Sequence, residues 1–333
     1  MSVEAQVART SIGMSRLHDG RRLLRAVLPA LSLALIVLAI WALNPRAISY
    51  FGLTLMLSLA VPIALATVGQ MIVMAINVLD LSIGTFVGLV GCITATWLRD
   101  DPVVGVLILI GCVLAYALVG ALIHLRNLPS IVVTLGMFFV WQGLAILILP
   151  KPGGHAPDWL HSLMATKTPF VPFPILAALA IGIVAYIGLM RTSYGVVLRG
   201  AGGNPVAVSR AGWSLLRGKM IMFGLAGFCG VLAGMALIGL TTSADANLAN
   251  GYTLLSIAGV ILGGGEFVGG RVSPIGAVIG ALTLQLATVA LNFFRLPALL
   301  PGFRIPSEWQ VGAQGLILIL ILAVRAIISR SEP

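Results

Sequence analysis

MRTSYGVVLRGAGGNPVAVSRAGWSLLRGKM (residues 190–220) is a basic, glycine-rich break in a chain that is otherwise almost continuously apolar. A polar segment of this length has no place inside a bilayer. Its cations, Arg191, Arg199, Arg210, Arg217 and Lys219, assign it to the cytoplasmic side by the rule that positive loops stay inside. The stretch therefore predicts an integral membrane protein with a structured cytoplasmic loop.

Composition supports that class. Hydrophobic residues make up 59% of the 333 and charged ones only 9%, with a mean hydropathy of +1.09. A soluble domain is typically about one-quarter charged, so this chain cannot cover a water-facing surface. The net charge of +10 would suggest nucleic acid in a soluble protein. Here the cations fill the gaps between apolar runs, and no nucleic-acid partner is expected. Cys92, Cys112 and Cys229 fall within apolar runs without metal-like spacing and read as small packing residues. His18, His124, His155 and His161 form no HExxH and have no paired acid nearby, so no metal site is expected.

A span needs about 20 apolar residues. That ruler places helices near 26–43, 52–75, 81–98, 103–123, 130–149, 172–190, 218–240, 252–264, 274–293 and 311–328. The expectation is an all-α transmembrane bundle of about ten helices. A cytoplasmic tail (1–25) precedes a single membrane domain (26–328), and a short cytoplasmic tail (329–333) follows it. The N-terminal arginines Arg9, Arg16, Arg21, Arg22 and Arg25 precede the first run, and AIWALNPR at its end lacks a small-x-small cleavage site, so an uncleaved first helix is expected. Alternating from an inside N-terminus puts Arg126, the 191–219 loop, Arg271, Arg325 and Arg330 inside. Arg46, Arg99, Lys151, Lys167, Arg295 and Arg304 fall outside.

Asp101-Pro102, Asn204-Pro205 and Ser273-Pro274 each pair an N-cap with proline at the first helical position. Gly84/Gly88, Gly230/Gly234 and Gly276/Gly280 put small residues on one face and predict close helix packing. The 150–171 gap is proline- and glycine-rich and expected outside, as a connector or part of a docking surface.

Two breaks carry polar groups into the apolar runs. At INVLDLSIGTFVG (76–88), Asp80 is placed to cap a helix from Leu81, and broken helices of this kind also line polar paths in transporters. At LGGGEFVGGR (262–271) the glycines cannot hold a helix, which predicts a re-entrant or interfacial turn with Glu266 and Arg271 placed to pair. In the basic loop, residues 199–203 read as an extended lead-in, Asn204-Pro205 starts a short helix and Gly212 ends it. Val206, Ala207 and Val208 give that helix a small apolar face with a basic rim, suited to a partner's groove. The nearest approach to a phosphate-binding loop is Gly218-Lys219, but Met220 replaces the magnesium-binding Ser/Thr and Trp213 the first glycine. Energy must come from a partner or an ion gradient.

DLSIG (80–84) resembles the "IDLSVG" signature of bacterial sugar ABC-transporter permeases of the ribose/xylose/galactose type. GGN (202–204) with Ala207 and Gly212 resembles that family's cytoplasmic loop. IAGVILGG (257–264) and GGR (269–271) with Gly276 resemble its "IAAVVIGG…GGRG…G" segment. The likeness runs from about residue 26 to 325. It implies a permease that pairs with a second permease subunit (identical or a paralogue), docks two cytoplasmic ATPases and receives sugar from a periplasmic binding protein in the bacterial inner membrane. ATP is then used by the partners, with no cofactor on this chain. It makes the 199–212 loop the ATPase-coupling element, with Arg199, Gly203, Asn204, Ala207 and Gly212 as its candidate residues; Gly264, Glu266, Gly270 and Arg271 of the second break are candidates for gating. Asn77, Asp80 and Ser82 are candidates for the pathway. Gln70, Trp141 and Gln142 join them because sugars favour hydrogen-bonding groups beside an aromatic face, although Trp141 also fits an interfacial anchor. The chain departs from the family at Asn77-Val78-Leu79, at TLLS (253–256), where acids are common, and at Glu266. The rival readings are a permease for branched-chain amino acids or nucleosides, an ion-coupled transporter and, last, a membrane enzyme.

Overall fold

The computed structural model describes residues 27–293 apart from 268. Among these the fold is all-helical. The helices are α1 (Val27–Leu43), α2 (Tyr50–Leu57), α3 (Ala60–Met74), α4 (Ile83–Ala95), α5 (Trp97–Asp100), α6 (Pro102–Leu125) and α7 (Ser130–Ile148). They continue with α8 (Asp158–Met164), α9 (Phe173–Tyr186, prolonged by a π-turn to Arg191), α10 (Ser193–Gly203), α11 (Pro205–Arg210), α12 (Leu215–Thr241), α13 (Tyr252–Leu262) and α14 (Pro274–Phe293).

The centre is α12. Its apolar window is 61% buried, against 33% for α6 and 22% for α7, so α12 is the axis and the other two turn most of their surface outward. Water cannot drive helices together in a bilayer, and close contact has to do it. Glycines on α12 allow that contact. A Cβ at Gly227 would sit 2.7 Å from the Tyr116 Cβ on α6, and one at Gly234 would sit 2.6 Å from Val90 on α4. Outward positions such as Leu107, Leu114 and Leu118 on α6, and Leu179 and Val184 on α9, are exposed, as lipid-facing surface requires.

Several expected spans are shorter or broken. The 52–75 run bends by 44° between α2 and α3. The 81–98 run yields only α4 and the four-residue α5, too short together with its break to be one straight span. The 150–171 gap holds α8, whose Leu160 packs on Gly239 of α12. Residues 199–203, expected as an extended lead-in, are helical and end α10. Thr192 caps that helix by accepting from the Gly195 N–H at 3.0 Å, and its glycines serve close approach rather than flexibility. The Gly276/Gly280 pair packs on the carbonyls of Gly263, just past the end of α13, and of Gly259 within it. The Gly84/Gly88 pair instead faces the carbonyls of Ala249 and Ala246, in a non-helical stretch. The helix expected at 311–328 and both tails lie outside the described residues.

The three Pro-marked helix starts are capped as their sequences predict. Asp101 accepts from Val103 and Val104, Asn204 from Ala207, and Ser273 from Gly276. Arg126, Arg191, Arg199, Arg210, Arg217, Lys219 and Arg271 lie toward one end of the bundle, hereafter the basic end. Arg46, Arg99, Lys151 and Lys167, with Asp100, Asp101 and Asp158, flank the opposite helix ends.

Candidate functional site: a broken helix tied to a basic loop

α3 stops at Met74, and Asn77, in left-handed backbone with φ 56°, turns the chain back on itself. Residues 78–82 then run without helix until α4 begins. Non-helical backbone at membrane depth is tolerated only when protein or water satisfies it. Here side chains from three helices do so. The Gln70 amide, oriented to suit its neighbours, donates to the Asp80 carbonyl (3.0 Å) and accepts from the Asp80 N–H (3.3 Å). Thr134 of α7 donates to the Leu79 carbonyl at 3.3 Å. Thr253 of α13 donates to the Leu81 carbonyl (3.3 Å) and accepts from the Gly84 N–H (3.0 Å).

The Asp80 carboxyl completes the set. It accepts from the Ser82 N–H and hydroxyl, both at 2.8 Å, and from the Tyr116 hydroxyl of α6. Asp80 and Gln70 are fully buried. An aromatic wall of Phe86, Tyr116 and Trp141 stands behind them, with ring centroids 4.5 Å apart for Phe86–Tyr116 and 5.4 Å for Phe86–Trp141. The fold thus brings Gln70, Asp80 and Ser82 into one network in which their polar groups face one another. Trp141 belongs to the wall. Gln142 stands apart, reaching toward residues 246–247.

At the basic end, α10 and α11 form an exposed bracket. Residues Gly203, Asn204, Ala207 and Gly212 are all exposed, and α11 buries no residue. Gly212, at φ 85°, closes α11: its N–H donates to Ser209 (3.0 Å) and the Trp213 N–H to Val208 (3.3 Å), the paired bonds of a Schellman motif. Tyr194 and Trp213 meet edge to face at 5.2 Å and tie the two ends of the bracket together. Arg199 is half-buried, and its Nε–H donates to the Leu189 carbonyl at 3.1 Å.

The bracket is joined to the broken helix through Asn77. The Asn77 side chain donates to the Gly202 carbonyl of α10 and accepts from the Gly269 N–H (2.9 Å) in the turn between α13 and α14. The three backbones interlock. A Cβ at Gly202 would collide with the Ala75 carbonyl, and one at Gly270 with the Arg199 carbonyl. The glycine-rich turn itself is built on left-handed backbone at Gly264, Gly269 and Gly270. Glu266 and Arg271 pair across it at 3.5 Å, both substantially exposed, and the Glu266 N–H donates to the Arg271 carbonyl. Three segments far apart in sequence (77–84, 202–204 and 269–271) therefore meet around one asparagine. Sequence reasoning missed Tyr116, Thr134 and Thr253, although a polar side chain inside an apolar run was a readable signal for each.

A family model described as "Branched-chain amino acid transport system / permease component" matches residues 52–322. The chain belongs to this family. Similar curated proteins include the galactofuranose transporter permease protein YtfT of Escherichia coli, 28% identical over 81% of this chain and 78% of its own. The ribose import permease protein RbsC of Haemophilus influenzae is 26% identical over 88% of this chain and 91% of its own. The autoinducer 2 import system permease protein LsrC of an Enterobacter species is 28% identical over 88% and 85%. No solved structure is significantly matched. The chain is thus a multi-pass membrane transport subunit.

Proposed function

We propose that this chain is the membrane-spanning subunit of an ABC importer that carries a sugar or related polyol across the bacterial inner membrane. Separate cytoplasmic ATPases supply the energy, a second permease subunit completes the pore, and a periplasmic binding protein delivers the cargo. Support comes from the family, from relatives whose names specify ribose and galactofuranose, and above all from the Asn77 junction. That junction gives a mechanical route. In this reading the basic end is cytoplasmic, and the exposed helix α11 docks on an ATPase. A push on the bracket reaches Asn77 through the Gly202 carbonyl, and Asn77 begins the break between α3 and α4. The same asparagine holds the 263–273 turn, so α13 and α14 move with it. Asp80, Ser82 and Gln70 keep the break intact as it moves, and the flanking surfaces of α4 and α7 line the path.

The family's description also names branched-chain amino acids, so the test includes both cargoes. The chain is reconstituted in vesicles with its ATPase and binding protein and offered radiolabelled ribose, galactose, allose and leucine. ATP-dependent uptake of a sugar, lost when the ATPase is omitted, is the expected result. Uptake of leucine alone, or sugar uptake by the permease with no second polypeptide, overturns the reading.

A further inference from the structure

A second non-helical stretch runs from α12 to α13 through TSADANLANG (242–251). It enters from the less basic end, where Ala244 pairs with Gly153 by two backbone bonds of 2.9 Å. It then descends beside α4, with the Ala246 and Ala249 carbonyls against Gly88 and Gly84. Three carboxamides gather there: Gln142 from α7, and Asn247 and Asn250 from the stretch itself. The Asn247 carbonyl accepts from both of the others, from Gln142 at 2.8 Å and from Asn250 at 3.3 Å. Gln142 also donates to the Ala246 backbone carbonyl at 3.3 Å, which sets the orientation of its amide and, through it, of the other two. The carbonyl oxygens Gln142 Oε1 and Asn250 Oδ1 are then buried with no donor among the described residues. Asn247 itself is exposed.

A native fold leaves few buried acceptors without partners, and each one calls for an explanation. Here two lie within one cluster. Carboxamides at this depth do not belong against lipid. A ligand that cures the deficit must bring O–H or N–H groups, and on the importer reading these are the hydroxyls of a sugar.

We propose that Gln142, Asn247 and Asn250 form a cargo-binding station on the translocation path, which takes hydroxyl groups of a neutral polyol as donors to Gln142 Oε1 and Asn250 Oδ1. The site rests on the importer reading above and deepens it. The wall residue Trp141, preceding Gln142, is itself buried with an unpartnered ring N–H.

The test uses the complete importer in vesicles, with saturating sugar-loaded binding protein and the radiolabelled panel of ribose, galactose and allose. Gln142→Met and Asn250→Ala sit on different elements, so failure of one to fold leaves the other to decide. Each is expected to lower sugar uptake about tenfold, the worth of one well-made hydrogen bond. ATP turnover stimulated by the loaded binding protein should stay within about twofold of the unaltered complex, because the bracket and the Asn77 junction are untouched. Uptake that is unchanged, or that falls in parallel with ATP turnover, overturns the station and leaves a merely structural role. If the unaltered complex carries none of the three sugars, the importer reading itself falls, and the cargo assigned to this site falls with it.

Discussion

Residues 75–82 and residues 242–251 both interrupt helices inside the bundle, yet their polar groups are treated differently. In the first, the carbonyls of Leu79, Asp80 and Leu81 and the amides of Asp80, Ser82 and Gly84 all meet side-chain partners. In the second, Gln142 and Asn250 give their N–H groups to the Asn247 and Ala246 carbonyls, and their own carbonyl oxygens are left without a donor among the described residues. A break whose buried polar side chains all find partners is a part that must survive motion without opening to lipid. An unsaturated one has capacity left for something that passes through. Irregular backbone at membrane depth thus marks structure in one place and cargo contact in the other, and hydrogen-bond accounting tells them apart.

The largest effect that can break this comparison is at Asp80. Asp80→Ala removes the acceptor for the Ser82 N–H and the Tyr116 hydroxyl, and each buried donor left alone costs about 1–3 kcal/mol. A marked fall in the melting temperature of the detergent-purified chain is expected, larger than for Asn247→Ala in the second stretch. Equal melting of the two variants would mean that the first break is not the saturated one.

The next effect tests the link from the bracket to that break. Gly202→Val places a side chain against the Ala75 carbonyl and forces α10 off its seat. Sugar uptake should be nearly lost while ATPase subunits still bind, as read by co-purification. Uptake near the unaltered level would show that force does not pass through this contact. Gly212→Val should act more weakly. A β-branched residue at φ 85° costs about 1–3 kcal/mol of local strain, enough to loosen the end of α11 without meeting any neighbour. Reduced uptake with unchanged membrane insertion is expected, and circular dichroism should show the protein otherwise folded. The smallest effect is at the turn. The Glu266–Arg271 pair is exposed on both sides, so Glu266→Gln should change stability by less than about 1 kcal/mol. A large drop in melting temperature there would assign the pair a structural role that its exposure argues against.

What the sequence revealed and what it hid follow from the range of the forces involved. The caps at Asp101, Asn204 and Ser273, and the end of α11 at Gly212, depend on residues three or four apart, and all four were readable. The glycines at 200–203 misled because a glycine run looks flexible locally. Its helical state is fixed by packing against Ala75 and Gly270, which are remote in sequence. The break at 76–82 was readable, but the side chains that satisfy its backbone, Gln70, Thr134 and Thr253, come from elements remote in sequence or a helix away. Asn77 looked like part of a polar path because it neighbours Asp80, but its partners are Gly202 and Gly269, more than a hundred residues away. Gln142 was legible as a polar residue in an apolar run, whereas Asn247 and Asn250 hid in what read as a loop.

Labelling at Ala207 puts the central claim to its most direct trial. Ala207 is exposed on α11, and Ala207→Cys places a reactive thiol there, to be read against a cysteine-free background. The account predicts that a membrane-impermeant maleimide labels it in inside-out inner-membrane vesicles and not in intact spheroplasts, and that adding the ATPase subunit protects it. Labelling from the periplasmic face, or labelling that the ATPase leaves unchanged, would contradict the account.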